Sequence, residues 1–86
     1  MTFVVETFWP SATEGAVRAA SDRVRQSART LSGQGVEIRL VGATWIPRDE
    51  ALQCRFKAAT EQAVRAAHAL AEVRIDRLVR AVEIEQ

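Results

Sequence analysis

The order of hydrophobic periods limits this chain to a small set of folds. A period-two segment, a helical pattern and another period-two segment are followed by the same three again. The order is therefore strand, helix, strand, strand, helix, strand. The middle strands, 36–46 and 51–58, meet at the turn Pro47-Arg48-Asp49-Glu50.

In the first strand Phe3, Val5, Thr7 and Trp9 share one side, and Val4, Glu6 and Phe8 the other. Pro10 ends it, and Ser11-Ala12-Thr13-Glu14 reads as a capping box with Ser11 as the N-cap. Val17, Ala20, Val24, Ala28 and Leu31 then recur at helical spacing, with Arg18, Asp22, Arg25 and Arg29 off that stripe. Ser32-Gly33-Gln34-Gly35 stops the helix. Val36, Ile38 and Leu40 alternate with Glu37 and Arg39, and Gly42 marks a bulge or a close backbone approach before Trp45 and Ile46. Leu52, Cys54 and Phe56 alternate with Gln53, Arg55 and Lys57. Thr60 caps a second helix, whose apolar face is Ala63, Val64, Ala67, Leu70 and Ala71, with His68 at its edge. The last strand is predicted over 77–85.

Two helices with one apolar stripe each bury both stripes against one side of a single antiparallel sheet. Right-handed crossovers then give a ferredoxin-like β-α-β-β-α-β sandwich, α+β in class, with sheet order 4-1-3-2 and one domain over 1–86. Val5, Ile38, Leu40, Cys54 and Phe56 should face the helices. The other face should carry Glu6, Arg39, Arg55 and Lys57, with Glu6 paired to Arg55, and also Val4, Phe8, Val41 and Trp45. A domain this short buries only roughly 60–65% of its unfolded surface, yet 48% of its residues are hydrophobic. An exposed sheet face this apolar calls for a partner. A second copy, face to face, would make a dimeric α+β barrel.

The net charge is +1, with acidic and basic residues interleaved, which argues against nucleic acid as a partner. RNA recognition on the same topology is weak too, because Phe56, the one aromatic of the third strand, should face the helices. One cysteine rules out an intrachain disulfide and a paired-Cys zinc site. The opening Met1-Thr2-Phe3-Val4-Val5-Glu6 lacks the basic region of a signal peptide, and no run of 18 apolar residues occurs. A cytoplasmic protein without a membrane partner is expected. There is no Gly-rich phosphate loop, no sign of a nucleotide, flavin or haem, and no assembled Ser-His-Asp set.

The stretch 52–82, including Leu-Gln-Cys-Arg-Phe-Lys-Ala and Glu-Gln-Ala-Val-Arg-Ala-Ala-His, resembles a family of small ferredoxin-like proteins long carried as a domain of unknown function. Some members are described as nickel-binding. Its opening aromatic-aliphatic-aliphatic-Glu strand is matched by Phe3-Val4-Val5-Glu6, its third-strand cysteine by Cys54, and its lead into the last strand by Asp76-Arg77-Leu78. In an ungapped match the family histidine falls on Ala67, with His68 next to it, and Glu72-Val73-Arg74-Ile75 replaces a Gly-Pro loop. The resemblance implies a homodimer and a divalent transition metal such as nickel, for which Cys54 and His68 are the candidate ligands.

Two functions follow as expectations. One is a homodimer that binds a small ligand or a metal ion. The other is a cofactor-free enzyme of the dimeric α+β barrel kind (a cyclase, isomerase or small oxygenase) acting on an apolar or aromatic molecule, with Glu6 and His68 as its catalytic groups. Phe8, Trp9, Arg39, Trp45 and Arg55 are the candidates for a ligand pocket or a dimer seam. Purely structural roles compete throughout: Cys54 as a small core residue, His68 bonded to Glu72, Thr60 or Glu61, and Glu6 in an ion pair.

Overall fold

The chain begins on an alternating strand, β1 (Thr2–Phe8), and crosses through α1 (Glu14–Gly33) to β2 (Ile38–Ile46). A single 3-10 turn, Pro47–Asp49, returns it into β3 (Ala51–Ala58), and α2 (Glu61–Ala71) leads to β4 (Arg77–Ala81). The structure, a computed structural model, describes residues 1–85. The four strands pair antiparallel in the order β2-β3-β1-β4, the ferredoxin-like topology expected from the sequence.

Both helices lie on one side of the sheet, because each has one stripe to bury. From α1, Val17, Ala20, Val24 and Ala28 are buried; from α2, Ala63, Val64, Ala67 and Ala71. They meet the strand residues Phe3, Val5, Ile38, Leu40, Leu52, Cys54 and Phe56 in one core. The helix-facing assignments of Val5, Ile38, Leu40, Cys54 and Phe56 hold. Leu70 departs from its assignment: it is 55% exposed, because the buried arc of α2 is filled by its alanines, Val64 and His68.

The helix ends are built locally. Thr13, not Ser11, caps α1: its Oγ1 accepts from the Ala16 N–H at 3.1 Å. Ser11 instead takes a left-handed φ of 62°, and its N–H donates to the Glu50 carboxylate. Thr60 caps α2 as expected, accepting from the Ala63 N–H. Both helices close with paired five-back and three-back bonds, Val36 to Leu31 with Gly35 to Ser32, and Val73 to His68 with Glu72 to Ala69. Gly35 supplies the left-handed residue of the first, and Glu72, at φ 57°, that of the second.

Strand β4 is shorter than the predicted 77–85. Ala81 already lies opposite Thr2, where β1 begins, so residues 82–85 have no strand to pair with. The loop before β4 is fastened to β1. The Phe8 N–H donates to Asp76 at 2.7 Å, Arg74 bonds both the Asp76 carboxylate and the Phe8 carbonyl, and the Asp76 N–H donates to the Glu6 carbonyl. No helix among the described residues is long and apolar enough to cross a membrane.

Candidate functional site

The side of the sheet away from the helices is built in rows, because residues directly opposite in an antiparallel pair point the same way. One row runs Arg39, Lys57, Thr2, Ala81. The next runs Gly42, Arg55, Val4, Val79, and the next Thr44, Gln53, Glu6, Arg77. Phe8 and Val41, 47% and 44% exposed, add apolar surface to this open face.

A bulge sets where the second strand's side chains fall. Pairing with β3 slips between Leu40 and Gly42, so Val41 is extra and the alternation reverses beyond it. Both readings of Gly42 meet here. The Arg55 guanidinium lies over it so closely that a Cβ would come within 2.6 Å of Nη2, and its Nη1 donates to Thr44 Oγ1 at 3.1 Å. The same slip corrects the placement of Trp45. It lies opposite the buried Leu52, on the helix side, and lines a groove of about 670 Å³ with Val17, Arg18 and Ser21 of α1. Trp9 is also turned to the helix side and lines a separate groove of about 260 Å³ with Thr7, Arg23 and Val73.

Glu6 and Arg55 share the open face as expected, yet they are not partners. The register sets Arg55 opposite Val4 and places Glu6 between Gln53 and Arg77. Arg77 Nη1 donates to Glu6 at 3.0 Å, and Gln53 Nε2 reaches its other oxygen at 3.4 Å. Charge on this face is therefore uneven. Glu6 and Arg77 satisfy each other, whereas Arg39, Arg55 and Lys57 join no ion pair among the described residues. Arg39 and Lys57 stand directly opposite one another, an arrangement of like charges that destabilises a bare sheet. Glu37 precedes Arg39 by two residues and is exposed, but it forms no ion pair with it.

Cys54 and His68 sit on the other side, within the core. The Cys54 thiol is 1% exposed; burial pushes its pKa up to about 11, against the pull of Arg55 and Arg25. It is a protonated thiol at neutral pH, poorly suited to bind a metal or attack an electrophile. His68 is 1% exposed and stacks edge-on to Phe56 at 5.5 Å. Its partner is none of Glu72, Thr60 or Glu61: Nδ1–H donates to the Val73 carbonyl at 3.2 Å, where the closing turn of α2 brings that carbonyl. Burial pushes the imidazole below its usual pKa, opposed by that bond, and Nε2 has no partner. This is a neutral histidine with one bare lone pair.

These placements separate the sequence candidates. Glu6 and His68 lie on opposite sides of the sheet and cannot act on one substrate together. No group of three or more His, Cys, Asp or Glu side chains gathers among the described residues. The residues present do not fit a transition metal within one chain, and a second copy across the open face would reach neither Cys54 nor His68. Phe8, Arg39 and Arg55 do share the open face, Arg39 and Arg55 in adjoining rows and Phe8 at the other end of the sheet. Arg77 as the partner of Glu6 was missed, although sheet order alone makes β4 the neighbour of β1.

No family model matches the chain. No curated protein matches it in sequence. Among solved structures, the crystal structure of SCO4226 from Streptomyces coelicolor A3(2) superposes with a TM-score of 0.76 over 99% of this chain and 100% of that one, at 14% identity. The chain thus shares its ferredoxin-like α+β fold with a Streptomyces protein.

Proposed function

We propose that the protein is a homodimer that holds a small anionic molecule with an apolar body between the open sheet faces of its two copies. The observation that carries this reading is the unpaired basic cluster, Arg39, Lys57 and Arg55, beside Val4, Val41 and Val79 on a face without a helix. Two such faces repel when brought together bare, and an anion between them removes that repulsion. The valines give its apolar part a place out of water. Arg55, bonded to Thr44 through Nη1, offers a planar donor suited to a carboxylate or sulfonate. An enzymatic role gains no support from this face, since its one central carboxylate, Glu6, is already bonded to Arg77 and Gln53.

The test uses 8-anilinonaphthalene-1-sulfonate, an aromatic anion. It should bind the wild-type dimer saturably, and its uncharged analogue N-phenyl-1-naphthylamine more weakly. Replacing Arg39, Arg55 and Lys57 with Gln should weaken sulfonate binding by about tenfold or more while circular dichroism stays unchanged. Equal affinity in the folded triple variant would remove the proposal.

A further inference from the structure

Strand β4 stops at Ala81, but the period-two pattern continues. Val82 and Ile84 are apolar and 71% and 73% exposed; Glu83 and Glu85 are acidic and exposed. At the opposite edge of the sheet, β2 pairs with β3 on one side only. Its outer backbone groups are open to another strand. The groove along that edge, about 450 Å³, is lined by Arg25 and Arg29 from α1 and by Ile38, Arg39, Leu40 and Val41 from β2, with no carboxylate among its lining residues.

We infer that residues 82–85 of one copy add as a strand to the β2 edge of a second copy. The segment cannot serve its own β2. That strand lies three strand spacings away, about 14 Å, and four residues fully extended span at most about 14 Å, leaving nothing to pair. In a twofold pair each copy gives one segment and receives one. Each copy's β2 edge then gains a strand from the other, and the two sheets are drawn together. Backbone bonds supply the attachment and side chains its register. With Glu83 and Glu85 turned to the helix side, where they meet Arg25 and Arg29, Val82 and Ile84 fall on the open side of the partner's sheet. This strand exchange rests on the homodimer reading but not on the ligand.

Two charge-reversal variants, Glu83→Arg with Glu85→Arg and Arg25→Glu with Arg29→Glu, test it by sedimentation equilibrium. Each variant alone should dimerise about tenfold more weakly than the wild type, or worse. An equimolar mixture should recover wild-type affinity, because each segment then meets a groove of opposite charge. Dimerisation unaffected in both variants, or a mixture no tighter than its components, overturns the exchange and leaves a face-to-face dimer standing. A wild-type chain that stays monomeric at every concentration overturns the dimer and the exchange together.

Discussion

On the helix-covered side of the sheet, Phe3, Val5, Leu40, Leu52, Cys54 and Phe56 are all 4% exposed or less. On the open side the same strands present Arg39, Arg55, Lys57, Glu6 and Arg77 around Val4, Val41 and Val79. The first side is complete within one chain. Even its histidine is held neutral, with its ring proton on a backbone carbonyl. The second side is unfinished, with cations facing each other and apolar groups in water. Strand pairing alone gives both sides equal standing; two helices consume one and leave the other free to bind.

The largest expected effect tests whether that division is energetic as well as geometric. Phe56→Ala should destabilise by about 3–5 kcal/mol, because it removes a fully buried ring from a packed core. Val79→Ala, on the open face and only half-buried, should change the stability of a single chain by less than about 1 kcal/mol. Urea titration at concentrations low enough to keep the chain monomeric measures both. Similar losses at the two sites would mean that the open face is core after all.

The covered side was legible because it obeys plain periods: every third or fourth residue on the helices, every second on the strands. The open side was less legible, for reasons of register. One extra residue, Val41, reverses the alternation and carries Trp45 to the helices, and Gly42 announces the bulge without saying which neighbour gains from it. Glu6 found Arg77 because pairing to β4 depends on where that strand starts, which a mixed pattern over 77–85 does not fix. Thr13 displaced Ser11 because Glu50 holds the Ser11 backbone, a tertiary contact outside any local capping rule.

The buried titrating groups give the next effect, visible as the pH limits of stability. The folded pKa of His68 lies below the ordinary 6.5, so the unfolded chain takes up the proton first as pH falls. Its contribution is complete above about 6.5 and declines as the solution is acidified toward the folded value. Cys54 works at the other limit. Its pKa rises from 9.0 to about 11 on folding, so its contribution is complete below 9.0 and is lost as pH rises to about 11. The loss is on the order of 3 kcal/mol. Asp76, held below its usual range by Arg74, acts only at still lower pH, with stability lost as pH falls through its folded value. Urea midpoints against pH should therefore show an acid decline whose onset below about 6.5 His68→Leu removes, leaving that of Asp76 at lower pH, and an alkaline decline that Cys54→Ala removes. Profiles unchanged by these substitutions would show that the covered side does not hold its polar groups neutral.

The smallest effect on stability is the sharpest probe of the open face. At Gly42 an added Cβ would come within 2.6 Å of Arg55 Nη2, the far end of a flexible side chain rather than backbone. The guanidinium can swing aside, so Gly42→Ala should alter the unfolding free energy from urea titration by less than about 1 kcal/mol, with reduced freedom of the unfolded chain offsetting part of any strain. Arg55 would nevertheless leave its bond to Thr44 and its position beside Lys57 and Val4. Binding of 8-anilinonaphthalene-1-sulfonate should then weaken severalfold in a protein as stable as the wild type. The same substitution combined with Arg55→Gln should add nothing further, because both act through one guanidinium. Unchanged sulfonate binding in Gly42→Ala would mean that Arg55 serves the bulge alone and that the ligand, if held on this face, depends on Arg39 and Lys57.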